Sequence, residues 1–119
     1  MTKHPNSLVN TMALLGYGLE DMAPSYGRDT DYVDQVLRDN ALALSRPVIP
    51  YGLLGIHPAC TQYFNMTQHG FRWNGKRQPW PPTQNTQTVF FFGGSTTLGY
   101  NVEDRHTIPY FVGEKLRSI

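Results

Sequence analysis

Ser95 stands where a nucleophile would be displayed. It follows the apolar run Val89-Phe90-Phe91-Phe92 and the pair Gly93-Gly94, and Thr96-Thr97-Leu98-Gly99 come after it. Four large apolar residues in succession read as a strand buried on both faces, as in a parallel sheet. Gly93 and Gly94 let the chain turn sharply behind it and let a backbone N–H approach a ligand closely. A hydroxyl at the carboxyl end of a central strand sits where open α/β sheets bind their ligands. The chemistry this serves is acyl transfer. A serine oxygen attacks an ester carbonyl once a base takes its proton, and preorganised donors hold the charge that develops on the carbonyl oxygen.

The same residues have other uses. A Gly93-Gly94-Ser95 loop followed by a helix could cradle the anion of a phosphorylated ligand, or Ser95 could cap a turn. The specific phosphate motifs fit poorly. Walker A needs a lysine directly before its serine or threonine, and no lysine lies between Lys76 and Lys115. Gly93, Gly94 and Gly99 lack the dinucleotide spacing, and Thr97 fills the second glycine position of a Gly-x-Ser-x-Gly elbow. His106, the histidine nearest Ser95 in sequence, reads as a solvated side chain on a polar stretch. His4, His57 and His69 are scattered without metal-ligand spacing, so neither metal nor cofactor is expected. Cys60 is the single cysteine and reads as an ordinary thiol. Asp104 is expected to fix the loop or the following helix start, and Arg72 to pack over Phe71 or Trp73. Tyr63, Phe64, Phe71, Trp73 and Trp80 could line a substrate cleft, and covering a sheet edge is the favoured expectation.

The elements that must position Ser95 are fewer. A helix is predicted from Asp31 to Leu44, where Val33, Val36, Leu37, Asn40, Ala41 and Leu44 form one stripe, with Thr30 as its cap and Pro47 as its stop. A short strand is predicted within 62–72, ending in Gly70-Phe71-Arg72, and a proline-rich connector over 79–87 leads into a strand at Thr88–Phe92. A second helix begins after Thr107 as N-cap, with Pro109 in its first turn and Ile108, Phe111, Val112 and Leu116 on its apolar face. Residues 1–30 read as an irregular segment, 31–87 as a helix plus loop-rich lead-in, and 88–119 as the strand, loop and helix that open a larger α/β domain.

The totals agree with one small domain: 119 residues, net charge +1 and 16% charged side chains, against roughly 25% in soluble domains. Without a block of like charge, no nucleic-acid surface is expected. No run nears the ~18 apolar residues of a membrane span. The stretch Leu8–Leu19 makes a poor signal peptide, and the compartment is left open.

Phe92-Gly93-Gly94-Ser95-Thr96-Thr97-Leu98-Gly99, with Asn101-Val102-Glu103-Asp104 and Thr107-Ile108-Pro109, resembles the first block of the SGNH hydrolases, the GDSL esterase/lipase superfamily. The likeness is close over 88–117 and looser over 62–87. It implies a flavodoxin-like three-layer αβα sandwich, with Ser95 as nucleophile and its N–H as an oxyanion donor. It also implies hydrolysis of a small-molecule ester, of an acyl lipid or an O-acetylated sugar, without cofactor. The family's commonest form has Asp where Gly94 stands. Its later glycine, asparagine and Asp-x-x-His blocks, which supply the remaining donors and the base, have no counterpart here. The remainder of a hydrolase domain would have to complete the sheet. A non-catalytic interaction fragment is the further alternative. The 119-residue chain alone is therefore expected to hydrolyse p-nitrophenyl acetate no faster than its Ser95→Ala variant, and a Ser95-dependent rate would refute that expectation.

Overall fold

Three helices open the chain in the computed structural model, which describes residues 3–45 and 57–119. α1 (Ser7–Leu14) starts at Asn6, whose side chain accepts the Leu8 N–H at 3.0 Å. α2 (Leu19–Tyr26) starts at Gly18, whose N–H donates to the Asp21 carboxylate, and ends at Gly27 in the left-handed region, φ 64°. α3 (Thr30–Ala43) starts at Asp29, whose carboxylate accepts the Tyr32 N–H at 2.9 Å. The expectation of an irregular segment over 1–30 is thereby corrected. Gly18 and Gly27 bound a helix rather than interrupt one, as glycine does at caps. The cap of α3 is likewise Asp29, with Thr30 already helical. Pro47, expected as its stop, lies outside the described residues.

Met22, Tyr32, Val33, Val36 and Leu37 form the first buried cluster, and Leu8, Val9, Met12 and Tyr63 pack against it. A second cluster joins Ala43, Phe64 and Met66, with Ala59 and Leu98 at its margin. It seats a small antiparallel hairpin. β1 (Ala59–Cys60) pairs with β2 (Asn65–Met66), Ala59 opposite Met66 and Cys60 opposite Asn65, and Met66 bridges on to Arg72. Of the strand predicted within 62–72, β2 and the isolated bridge at Arg72 form, and no described strand ends in Gly70-Phe71-Arg72.

Past the hairpin come α4 (Ser95–Leu98), a 3-10 turn (Asp104–His106) and α5 (Ile108–Arg117). Thr107 caps α5 by accepting the Tyr110 N–H, and Pro109 lies in its first turn, as the sequence predicts. The strand predicted at Thr88–Phe92 is not formed among the described residues. The segment makes no ladder, and Val89 and Phe92 are 60% and 88% exposed. Strands persist only where a neighbour takes their N–H and C=O groups, and the described sheet holds only β1 and β2. The chain mixes helices with a two-stranded antiparallel sheet, and among the described residues no parallel sheet is present. No described helix is long and apolar enough to cross a membrane.

Tyr32 ties the first cluster together. Its ring meets Tyr63 edge-on at 5.0 Å, and the Arg28 guanidinium lies 4.4 Å from its centroid. Its hydroxyl is buried near Glu103 without the geometry of a full hydrogen bond. Burial first, and the Glu103 carboxylate second, push the phenol from 10.0 up to about 12. The folded pKa is raised, so the contribution to stability is complete below pH 10 and is lost as pH rises toward 12. Tyr32→Phe should therefore gain on the parent chain in urea midpoint between about pH 9 and pH 12; a gap that stays constant over that range would refute the assignment.

Candidate functional site

Ser95 is the first residue of α4 and is exposed. The four-residue helix cannot stand by its own hydrogen bonds, so its ends are held from outside. Its C-terminus closes in a Schellman turn: Gly99, at φ 78°, donates to the Thr96 carbonyl, and Tyr100 donates to the Ser95 carbonyl at 2.9 Å. A Cβ at Gly99 would lie 2.6 Å from Thr107 Cγ2 and 3.1 Å from Arg72 Nη1, so both conformation and space require glycine. Of the two glycines assigned to the turn before Ser95, Gly93 is the constrained one, since a Cβ there would overlap Thr97. Around Gly94 nothing lies within 4 Å.

Arg72 binds this loop to the hairpin. Its Nε donates to Asp104 Oδ1 at 2.9 Å, Nη1 to the Leu98 and Gly99 carbonyls, and Nη2 to the Val102 carbonyl at 2.7 Å. The guanidinium lies 3.9 Å from the Phe64 ring centroid. The Phe71 or Trp73 platform expected from the sequence is replaced by Phe64, because Arg72 points inward, with its side chain 7% exposed. Burial pulls its pKa below the usual value, and Asp104 opposes that pull. Asp104 also accepts the Asn65 backbone N–H and, at 2.7 Å, the Asn65 side-chain amide. Its own carbonyl accepts the Thr107 hydroxyl at the start of α5. The structural role read for Asp104 is the one it has.

Three helices hold the loop from the other side at Asn101, which the sequence reading placed in the resembling segment without giving it a role. Its φ of 62° is left-handed, a region asparagine enters more readily than other side-chain-bearing residues. The available signals were its place two residues after Gly99 and the polar Asn40 inside the apolar stripe of α3.

The Ser95 hydroxyl meets no histidine or carboxylate among the described residues. His106 instead stacks on Phe111 and lies 3.5 Å from Glu103. Beside the loop runs a cleft of about 400 Å³ whose walls include Phe71, Trp80, Phe90, Phe92, Leu98 and Pro109. There Trp80 and Phe90 each lie within 6 Å of Phe71, centroid to centroid. Across the Arg72–Asp104 pair, a polar cleft of about 550 Å³ carries Arg28 and Arg105 together with Glu103. Comparisons of the chain with protein-family models, with curated proteins and with solved structures find no match.

Removing either member of the buried pair leaves the other charge without compensation. Arg72→Met should cost about 3–5 kcal/mol, and Arg72→Lys should recover little of it, because one ammonium cannot reach four acceptors in a fixed fork. Arg72→Met combined with Asp104→Asn should cost less than the sum of the two single changes, read from urea unfolding; strict additivity would show that the two side chains do not act as a pair.

Proposed function

We propose that Ser95 is the nucleophile of a serine ester hydrolase of the SGNH type, and that this chain supplies the N-terminal portion of its domain. The observation that carries the reading is an exposed serine hydroxyl at the start of α4, without a hydrogen-bond partner among the described residues, on a loop held by buried charge. The first-turn N–H groups of a helix have no partner within it. Those of Ser95 and Thr96 are therefore free to stabilise an oxyanion, an interaction worth about 2.7–4 kcal/mol per donor. The open space at Gly94 agrees with the SGNH resemblance, whose commonest block has an aspartate there and so needs room for a side chain.

The exposed run Val89–Phe92 supports the same reading. Burying a large apolar side chain stabilises by about 1.5–3 kcal/mol, so this segment favours any strands that come to lie beside it. Those strands would build the flavodoxin-like sheet and carry the base and the remaining oxyanion donors. The substrate is an ester of an acyl lipid or an O-acetylated sugar, and the step is formation and hydrolysis of an acyl-enzyme. The phosphate-binding alternative is weaker. Arg72, the guanidinium hydrogen-bonded to this loop, spends its donors on Asp104 and backbone carbonyls, and none is directed to an anion before Ser95.

A fluorophosphonate probe applied to the full natural protein should modify Ser95, with Ser95→Ala unlabelled. Labelling of another serine, or none, would end the proposal.

A further inference from the structure

Asn101 is where all three N-terminal helices reach the Ser95 loop. Its N–H donates to Asn40 Oδ1 of α3 at 2.8 Å. Its carbonyl accepts the Tyr26 hydroxyl of α2 at 2.9 Å. Its side-chain oxygen accepts from Asn6 Nδ2, at the cap of α1, also at 2.9 Å. We infer that Asn101 is a positioning residue for Ser95 and that the α1–α3 layer serves as the clamp of the nucleophile loop. The inference rests on the reading of Ser95 as nucleophile.

The chemistry of the three contacts is selective. Asn6 and Asn40 are 1% and 0% exposed. Buried amides are costly unless each polar atom finds a partner, and these do. Asn6 Nδ2 also donates to the Leu37 carbonyl, and its Oδ1 accepts Leu8 N–H. Asn40 Nδ2 donates to the Val36 carbonyl and, at 3.5 Å, to that of Val102. An apolar side chain at position 40 would continue the stripe of α3 and could not accept the Asn101 N–H. The left-handed backbone at Asn101 is a conformation that surrounding contacts must sustain. From there the path to Ser95 is short, because the Tyr100 N–H closes on the Ser95 carbonyl and the Val102 N–H on the Gly99 carbonyl.

The test uses the full protein and three variants. Tyr26→Phe deletes one hydroxyl. Asn101→Gly keeps the left-handed backbone and deletes the amide. Leu42→Ala, at an exposed site on α3, is the control. Hydrogen exchange at the Leu98, Gly99 and Tyr100 amides should rise roughly 2- to 10-fold in the first two, the equivalent of one lost hydrogen bond. Exchange at Val36 and Leu37 should stay unchanged, and fluorophosphonate labelling of Ser95 should slow in its maximal rate while half-saturation holds. Equal acceleration at Val36 and Leu37, or no change at Leu98–Tyr100, overturns the inference while wild-type labelling leaves the nucleophile reading standing. A wild-type Ser95 that takes no label overturns both, through the reading beneath.

Discussion

The buried ion pair between Arg72 and Asp104 is the constraint on which the Ser95 loop depends. Taking a guanidinium out of water costs several kcal/mol, and one carboxylate alone would satisfy few of its five donors. The Leu98 and Gly99 carbonyls supply what is missing. They are the orphan acceptors at the C-terminus of α4, where the helix dipole also favours a cation. The interaction therefore works in both directions: α4 gives Arg72 acceptors, and Arg72 gives a helix too short to persist alone its C-terminal anchor. Phe64 closes the fourth side with its ring face.

Charge placement along the sequence makes this joint specific. No acidic residue occurs between Asp39 and Glu103. Asp39 and Asp104, both buried, stand on either side of that gap and grip the same hairpin. Asp39 accepts the Tyr63 N–H at 2.8 Å, and Asp104 accepts the Asn65 N–H at 3.1 Å. A two-residue ladder is marginal in water. Here two carboxylates, one from α3 and one from the segment after α4, replace the hydrogen bonds that a wider sheet would provide. The hairpin in turn holds Arg72 in place, so helix layer, hairpin and loop form one mechanical unit.

Those relations explain which parts of the molecule were legible in the sequence. The start of α5 could be read because Thr107 and Pro109 act locally, on N–H groups within a few residues. The stripe of α3 was legible for the same reason, since its period is a property of the helix itself. Asn40 was counted among the apolar positions because nothing local announces a partner 61 residues away. Residues 1–30 were misread because glycine at a cap and glycine in a loop look alike until the helix is seen. At Thr88–Phe92 composition states how strongly the segment seeks burial, and it is silent on which strand would lie alongside. Ser95 could be singled out from its neighbours, and the lack of an Asp-x-x-His block was legible too; the structure adds where His106 goes, against Glu103 and Phe111.

Under the hydrolase reading, the two sides of the loop differ in a way that locates the missing machinery. On the side of the helices and hairpin, Asp39, Asp104 and His4 already have work. Asp39 serves Gln35 and Tyr63, Asp104 serves Arg72 and Asn65, and His4 is bonded to Asp34. Recruiting Asp104 as the base would strip the contact through which Arg72 holds the Ser95 loop. On the opposite side lie the exposed apolar run, the aromatic cleft and the half-exposed apolar face of α5, with Ile108, Phe111 and Leu116 each close to half exposed. That surface gains stability from whatever covers it, and its cleft is lined by Gly93 and Thr97, on either side of Ser95 in the chain. A base delivered with the covering polypeptide would reach the hydroxyl without disturbing the clamp, so assembly of the sheet and activation of the nucleophile would be one event.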